Sequence, residues 1–252
     1  MKNWLILITI FVLALSACAV STPEIVSEDL VQGETDELII SEEPAADPNV
    51  DAQQETITAL SDTDLSDSEI AGLLFMREEE KLARDVYLQM YDVWNFNIFT
   101  NITRSEQSHM DAVLVLINDV GAEDPVGDAE RGVFENQDLQ DLYDQLIDQG
   151  VQSQAQALLV GGAIEEIDIL DLQTYLSETT NSAVIAVYEN LLFGSINHLQ
   201  AFVRTYERQT GETYEPQYLS QEAFEEMMAD SAAMGGGGSR GMNASSQGKG
   251  QN

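Results

Sequence analysis

The chain has one cysteine and two histidines in 252 residues, and ten lysines and arginines against 45 aspartates and glutamates. A lone cysteine excludes any disulfide within the chain. The shortage of cations leaves a formal charge of −35. Phosphate backbones and anionic lipid surfaces repel such a chain, so nucleic acid is excluded as an expected partner. Apolar runs are also scarce. The run from Trp4 to Ala17 is too short for a comfortable transmembrane helix. Between Ser66 and Met228 no stretch alternates apolar and polar residues in the manner of a half-buried strand. The same region holds no glycine-rich phosphate loop and no serine or cysteine hydrolase arrangement.

The early apolar run follows Lys2 and ends in small residues, which is the pattern of a secretory signal. Its close, Leu15-Ser16-Ala17-Cys18, resembles the lipobox of bacterial lipoproteins. That resemblance implies a signal peptide over 1–17 and lipidation of Cys18. It places the chain in the cell envelope, facing the periplasm or the exterior, in contact with the membrane through the lipid alone. Ordinary secretion with cleavage after Ala17 is the alternative. Residues 19–68 hold fourteen acidic residues and no lysine or arginine, and Pro23, Pro44 and Pro48 interrupt them. Such a composition buries too little apolar surface to offset its ordering entropy, so 18–65 is expected to be a disordered acidic tether. Residues 229–252, rich in glycine and serine, are expected to be disordered as well. One folded unit remains, over 66–228, and its length suits a single domain. Long ends of this kind suit a homodimer better than a closed cage.

Inside that unit the apolar residues recur at helical spacing. Ser66 and Glu69 make a capping-box pattern ahead of a stripe formed by Leu73, Phe75, Met76, Leu82, Ala83, Val86 and Met90. Glu79 falls on that stripe, flanked by Glu78 and Glu80. A second helix is expected from about Ile98 to Val120, stopped by Gly121. Glu106 and His109 fill its apolar stripe between Ile102 and Ala112. A long connection follows, with a short amphipathic helix at about Gln137 to Gln149. The third long helix, "SQAQALLVGGAIEEIDILDLQTYL", is apolar on most sides, as a buried helix is. Glu166 shares a face with Leu159, Gly162, Ala163 and Leu170, and a small change of register would exchange it for Glu165. The fourth helix, about Asn181 to Gln209, carries His198 on the stripe Val184, Val187, Leu191, Ser195 and Phe202. "SQEAFEEMM" adds a short terminal helix.

Short loops within each helix pair and a long connection between the pairs give an all-α fold: a ferritin-like four-helix bundle with a crossover between helices two and three. The two halves rhyme. Each puts a core-facing carboxylate on its first helix (Glu79, Glu166) and a core-facing histidine on its second (His109, His198). Residues three apart share a helical face with Cβ atoms about 5–6 Å apart, so Glu106 and His109 can serve one ion. Ferritin-like two-metal proteins take one Glu from each of two helices and Glu-x-x-His from each of the other two. Carboxylates bridge and neutralise the ions while imidazoles complete the coordination. Each residue also has a structural role open to it. Glu79 can pair with Lys81 or Arg84, and a core histidine can be satisfied by hydrogen bonds. Tyr87 and Tyr188 can be redox-active or simply packed.

The segments "REEEKLARDVY", "NITRSEQSHMDAV", "GGAIEEIDILDL", "GSINHLQAFV" and "YEPQYLSQEAF" resemble a prokaryotic ferritin-like family of unknown function, over about Ser66 to Phe224. The resemblance implies a ferritin-like fold and a two-metal centre related to those of rubrerythrin and ferritin. On it, Glu79, Glu106, His109, Glu166 and His198 match metal-ligating positions, with Glu165 as the neighbour that a change of register would substitute. One departure stands out: the residue three before His198 is Ser195, where the pattern asks for Glu. Either Glu165 or Asp168 can substitute from the third helix; otherwise the centre is mononuclear, asymmetric or degenerate.

Three functions follow as expectations. The first is a lipid-anchored protein outside the cytoplasm that binds a di-iron centre, or manganese, and oxidises ferrous iron or reduces peroxide. The second is a non-catalytic metal-binding or storage protein. The third is a structural or adaptor bundle with a degenerate site.

Overall fold

A computed structural model of the chain describes residues 65–235. Cys18, the expected signal segment, the tether up to residue 64 and the tail from residue 236 lie outside the described residues. Six helices and no strand occur among the described residues. They are α1 (Asp67–Trp94), α2 (Asn97–Asp119), α3 (Gln137–Gly150), α4 (Gln154–Glu178), α5 (Ser182–Thr210) and α6 (Gln221–Gly235). None is long and apolar enough to cross a membrane.

The ends of these helices follow from their sequence. Ser66 accepts a hydrogen bond from the Glu69 backbone while the Glu69 carboxylate accepts from the Ser66 backbone, so the capping box is complete. Asn136, Ser153 and Asn181 cap α3, α4 and α5 with their side-chain oxygens. Beyond α2 and α5 the chain turns through Gly121 (φ 68°) and Gly211 (φ 74°), a left-handed conformation that costs glycine little. The α1–α2 and α4–α5 connections are short, whereas residues 120–136 and α3 span the gap between the pairs. This is the ferritin-like connectivity, with the crossover helix inserted where the amphipathic pattern placed it.

Packing is densest between α1 and α2 and between α4 and α5, while α1–α4 and α2–α5 contacts close the bundle. At the α4–α5 seam, Gly161 lets the ring of Phe202 come so close that a Cβ would sit 2.3 Å from it. The core is divided in two. One apolar cluster contains Leu82, Val86, Met90, Phe99, Leu158 and Phe202, and the other Leu73, Met76, Val113, Leu116, Leu172 and Val187. Along all four long helices the two clusters are separated by a buried polar layer: Arg77 to Lys81 on α1, Glu106 and His109 on α2, Glu165 to Asp168 on α4, and Ser195 and His198 on α5. A layer that interrupts a hydrophobic core costs folding energy, so its members must be satisfied by one another, by the backbone or by an ion.

Candidate metal centre

Part of the polar layer is structural. Arg77 forks onto Asp124 at 3.0 and 3.1 Å. Glu78 accepts from the backbone N–H groups of Glu135 and Asn136. Lys81 is fully buried, pairs with Asp85 at 2.5 Å, donates to the carbonyls of Glu130 and Val133, and lies 4.4 Å above the Phe134 ring. These residues fasten α1 to the crossover. Glu166 does the same at the other side of the bundle. It accepts from the backbone N–H groups of Gln217, Tyr218 and Leu219 at 2.6–2.9 Å and from the Tyr214 hydroxyl at 2.7 Å. It thereby holds the segment between α5 and α6.

The remaining residues converge. His109 Nδ1 lies 3.2 Å from Glu80 Oε2 and 3.0 Å from Glu106 Oε2. His198 Nδ1 lies 3.0 Å from Glu106 Oε1 and 3.5 Å from Glu165 Oε2. Two buried groups result, Glu80/Glu106/His109 and Glu106/Glu165/His198, in each of which one ligand atom per residue falls within 4.8 Å of the others. Glu106 belongs to both. The imidazole rings stack with centroids 5.6 Å apart and planes inclined by 30°. Gly194 on α5 makes room for His109: a Cβ there would lie 2.5 Å from ring atoms Cε1 and Nε2.

The structure therefore brings together four of the six residues singled out from the sequence, Glu106, His109, Glu165 and His198. Glu79 and Glu166 are not in either group. In α1 the carboxylate that reaches the centre is Glu80, one residue on. Glu79 is buried against Asp171, and burial together with that neighbouring carboxylate raises its proton affinity well above the usual range. In α4 the register falls one residue earlier, so Glu165 faces the centre and Glu166 is spent on the loop. No local signal separated Glu80 from Glu79, since each lies two turns before a buried residue, Tyr87 and Val86. The Tyr87 hydroxyl donates to Glu165 Oε1 at 2.5 Å. Tyr188 is buried away from the centre with its hydroxyl unpartnered.

The ionisable groups of the layer shift one another strongly. Burial alone would raise the proton affinity of Glu106, but the imidazoles of His198 and His109 on either side outweigh it and hold the carboxylate well below its usual range. Burial, reinforced by Asp168, pushes Glu80 well above that range despite His109. Burial also raises Glu165, against the pull of His198, and lifts Asp168 to about 8 against its hydrogen bond from Ser195. Burial disfavours the imidazolium of His198, yet Glu106 and Glu165 raise it to about 10. His109 is raised in the same way by Glu80 and Glu106.

These residues fit a pair of metal ions. Glu80 Oε1, Glu106 Oε1, Asp168 Oδ1 and His198 Nδ1 are buried and make no directed hydrogen bond. His198 Nδ1 and Glu106 Oε1 stand 3.0 Å apart, close enough to serve one ion. Donors limited to carboxylate oxygen and imidazole nitrogen suit divalent metal ions that need no thiolate ligand.

The fold and the centre define a ferritin-like bundle with paired acidic and histidine clusters that can hold metal. The chain belongs to the family described as "Uncharacterized protein domain (DUF2202)", which it matches over residues 69–231. It is 46% identical over 181 residues to the uncharacterized protein MJ0754 of Methanocaldococcus jannaschii, covering 72% of this chain and 97% of that protein. The crystal structure of hypothetical protein MJ0754 from Methanococcus jannaschii is similar with a TM-score of 0.64 at 47% identity, over 66% of this chain and 95% of that one.

Proposed function

We propose that the protein binds two iron ions, or two manganese ions, in the polar layer and uses them for redox chemistry of the kind that oxidises ferrous iron or reduces peroxide. The observation that supports this most strongly is the position of Glu106, whose two oxygens face two separate histidines. A carboxylate so placed would be shared by two ions, with Glu80 and His109 holding one and Glu165 and His198 the other. Two bound ferrous ions would supply one electron each, the pair that, with two protons from solvent, reduces hydrogen peroxide to two waters. The chain's own residues hold the ligands in place. The Tyr87 hydroxyl orients Glu165, Gly194 leaves the His109 ring its space, and the two apolar clusters above and below keep bulk water from the layer.

The test is anaerobic loading of the full chain with ferrous iron, elemental analysis, and stopped-flow mixing with peroxide. Two ions per chain and ferrous oxidation much faster than in free solution are expected. Two ions without turnover would make it a binding or storage protein, and absence of bound metal would make it a structural bundle. We further propose that Cys18 carries a lipid that anchors this bundle in the cell envelope, on the strength of Leu15-Ser16-Ala17-Cys18 and the absence of any other cysteine. Cys18→Ser should move the protein from the membrane fraction to the soluble fraction; an unmodified first residue elsewhere, found by mass spectrometry, would end that reading.

A further inference from the structure

The two halves of the centre are not equivalent, and the difference lies at one position. Glu106 and Ser195 correspond: each sits one turn before its histidine, on the second helix of its pair. On α2 that place holds a carboxylate, and on α5 it holds a hydroxyl. The carboxylate is present all the same, on another helix. Asp168 follows Glu165 by one turn of α4, so both project from the same face. Its Oδ2 is hydrogen-bonded to the Ser195 hydroxyl. Asp168 is 6% exposed, and its other oxygen, Oδ1, is buried with no partner.

We propose that Asp168 is a metal ligand of this centre, delivered by α4 in place of the carboxylate that α5 lacks, with Ser195 gripping Oδ2 so that Oδ1 is free for an ion. The inference rests on the two-metal reading above. A small side chain at 195 is what leaves space for Asp168 to lean across, and a glutamate at 195 would claim the same volume. The exchange explains why a chain that departs from Glu-x-x-His at Ser195 still buries a carboxylate against that serine.

The test uses the full chain and manganese(II) as the probe, with stoichiometry by elemental analysis, affinity by titration and spin coupling by paramagnetic resonance. Wild type should hold two ions with a coupled spectrum. D168A should lose at least ten-fold in affinity for one ion and show an uncoupled spectrum, and D168N, which is nearly the same shape, should do so with its helical fold intact. The double variant D168A/S195E puts the carboxylate back on α5 and should restore two coupled ions. If D168N binds two ions with wild-type affinity, or if the folded double variant fails to recover them, Asp168 is not a ligand and the two-metal reading survives without it. If wild type itself holds no manganese and no iron, the two-metal reading fails, and this inference with it.

Discussion

Glu106 on α2 and His198 on α5 come from different helix pairs, yet Glu106 Oε1 lies 3.0 Å from His198 Nδ1. The other oxygen of the same carboxylate lies 3.0 Å from His109 Nδ1, within its own helix. One side chain thus joins the two halves of the bundle. Glu106→Ala should therefore remove both ions, whereas His198→Ala should remove only the ion on its own side. Elemental analysis after desalting separates the two outcomes. Equal losses from both variants would contradict a shared carboxylate.

Glu165 and Glu166 are neighbours with opposite assignments. Glu166→Ala leaves three backbone N–H groups and a tyrosine hydroxyl without an acceptor. It should cost on the order of 3–5 kcal/mol of stability, since each buried donor left unsatisfied costs about 1–3 kcal/mol. Metal stoichiometry should persist wherever the variant is folded. Glu165→Ala should reverse the pattern, losing an ion with a smaller change in the denaturant midpoint of the metal-free protein. Chemical denaturation and elemental analysis of the two variants, side by side, give the comparison.

How far the sequence could be read explains why these neighbours were hard to separate. Helix spacing, the Ser66–Glu69 cap, the glycine stops and the long connection were enough for the bundle and its crossover, because each is a local signal. Glu106, His109 and His198 were also legible, since each is a polar residue alone on an apolar stripe. Runs of adjacent acids are different. Successive residues on a helix differ by about 100°, so a modest error in where a stripe is centred exchanges Glu79 for Glu80, or Glu166 for Glu165. What assigns them is contact with partners far along the chain. Glu78 and Glu166 are taken by loop N–H groups at 135–136 and 217–219, and such loops have no periodicity to reveal which carboxylate they will meet. Asp168 was legible only as one of two substitutes for the carboxylate missing at 195; its contact with Ser195, on another helix, is not a local signal.

The crossover should respond to pH through Asp124. Burial raises the proton affinity of this carboxylate, but the Arg77 fork and the Val126 and Gly127 N–H groups outweigh it and leave it lowered. A carboxylate with a depressed folded-state value stabilises the protein above its unfolded value, about 3.9 for aspartate. That contribution fades as pH falls through the folded-state value. Asp124→Asn should thus cost roughly 1.5–3 kcal/mol near neutrality, the range for hydrogen bonds to a charged group. The difference from wild type should shrink below about pH 4. Denaturation curves of metal-free wild type and variant at pH 7 and pH 3 test this. A gap that stays constant would mean that the pair carries no charge-dependent stability.

Gly194 offers a way to disturb the centre without touching a ligand. It lies on α5, and a Cβ added there would approach His109 Cε1 and Nε2 to 2.5 Å. The ring cannot easily yield. Its Nδ1 is already 3.2 Å from Glu80 and 3.0 Å from Glu106, and it stacks on His198 behind. Gly194→Ala should therefore swing the imidazole away from both carboxylates. Overpacking of this kind costs about 1–3 kcal/mol, offset in part by the better helix propensity of alanine, worth about 1 kcal/mol. Stability should change little, while affinity for the ion on the His109 side should fall about 10–100-fold, the range seen when the support of a ligand is lost. The ion on the His198 side should remain. Titration of the metal-free variant with manganese(II) resolves the two steps. If both ions bind as in wild type, His109 either is not a ligand or reaches the centre by a path that Gly194 does not shape.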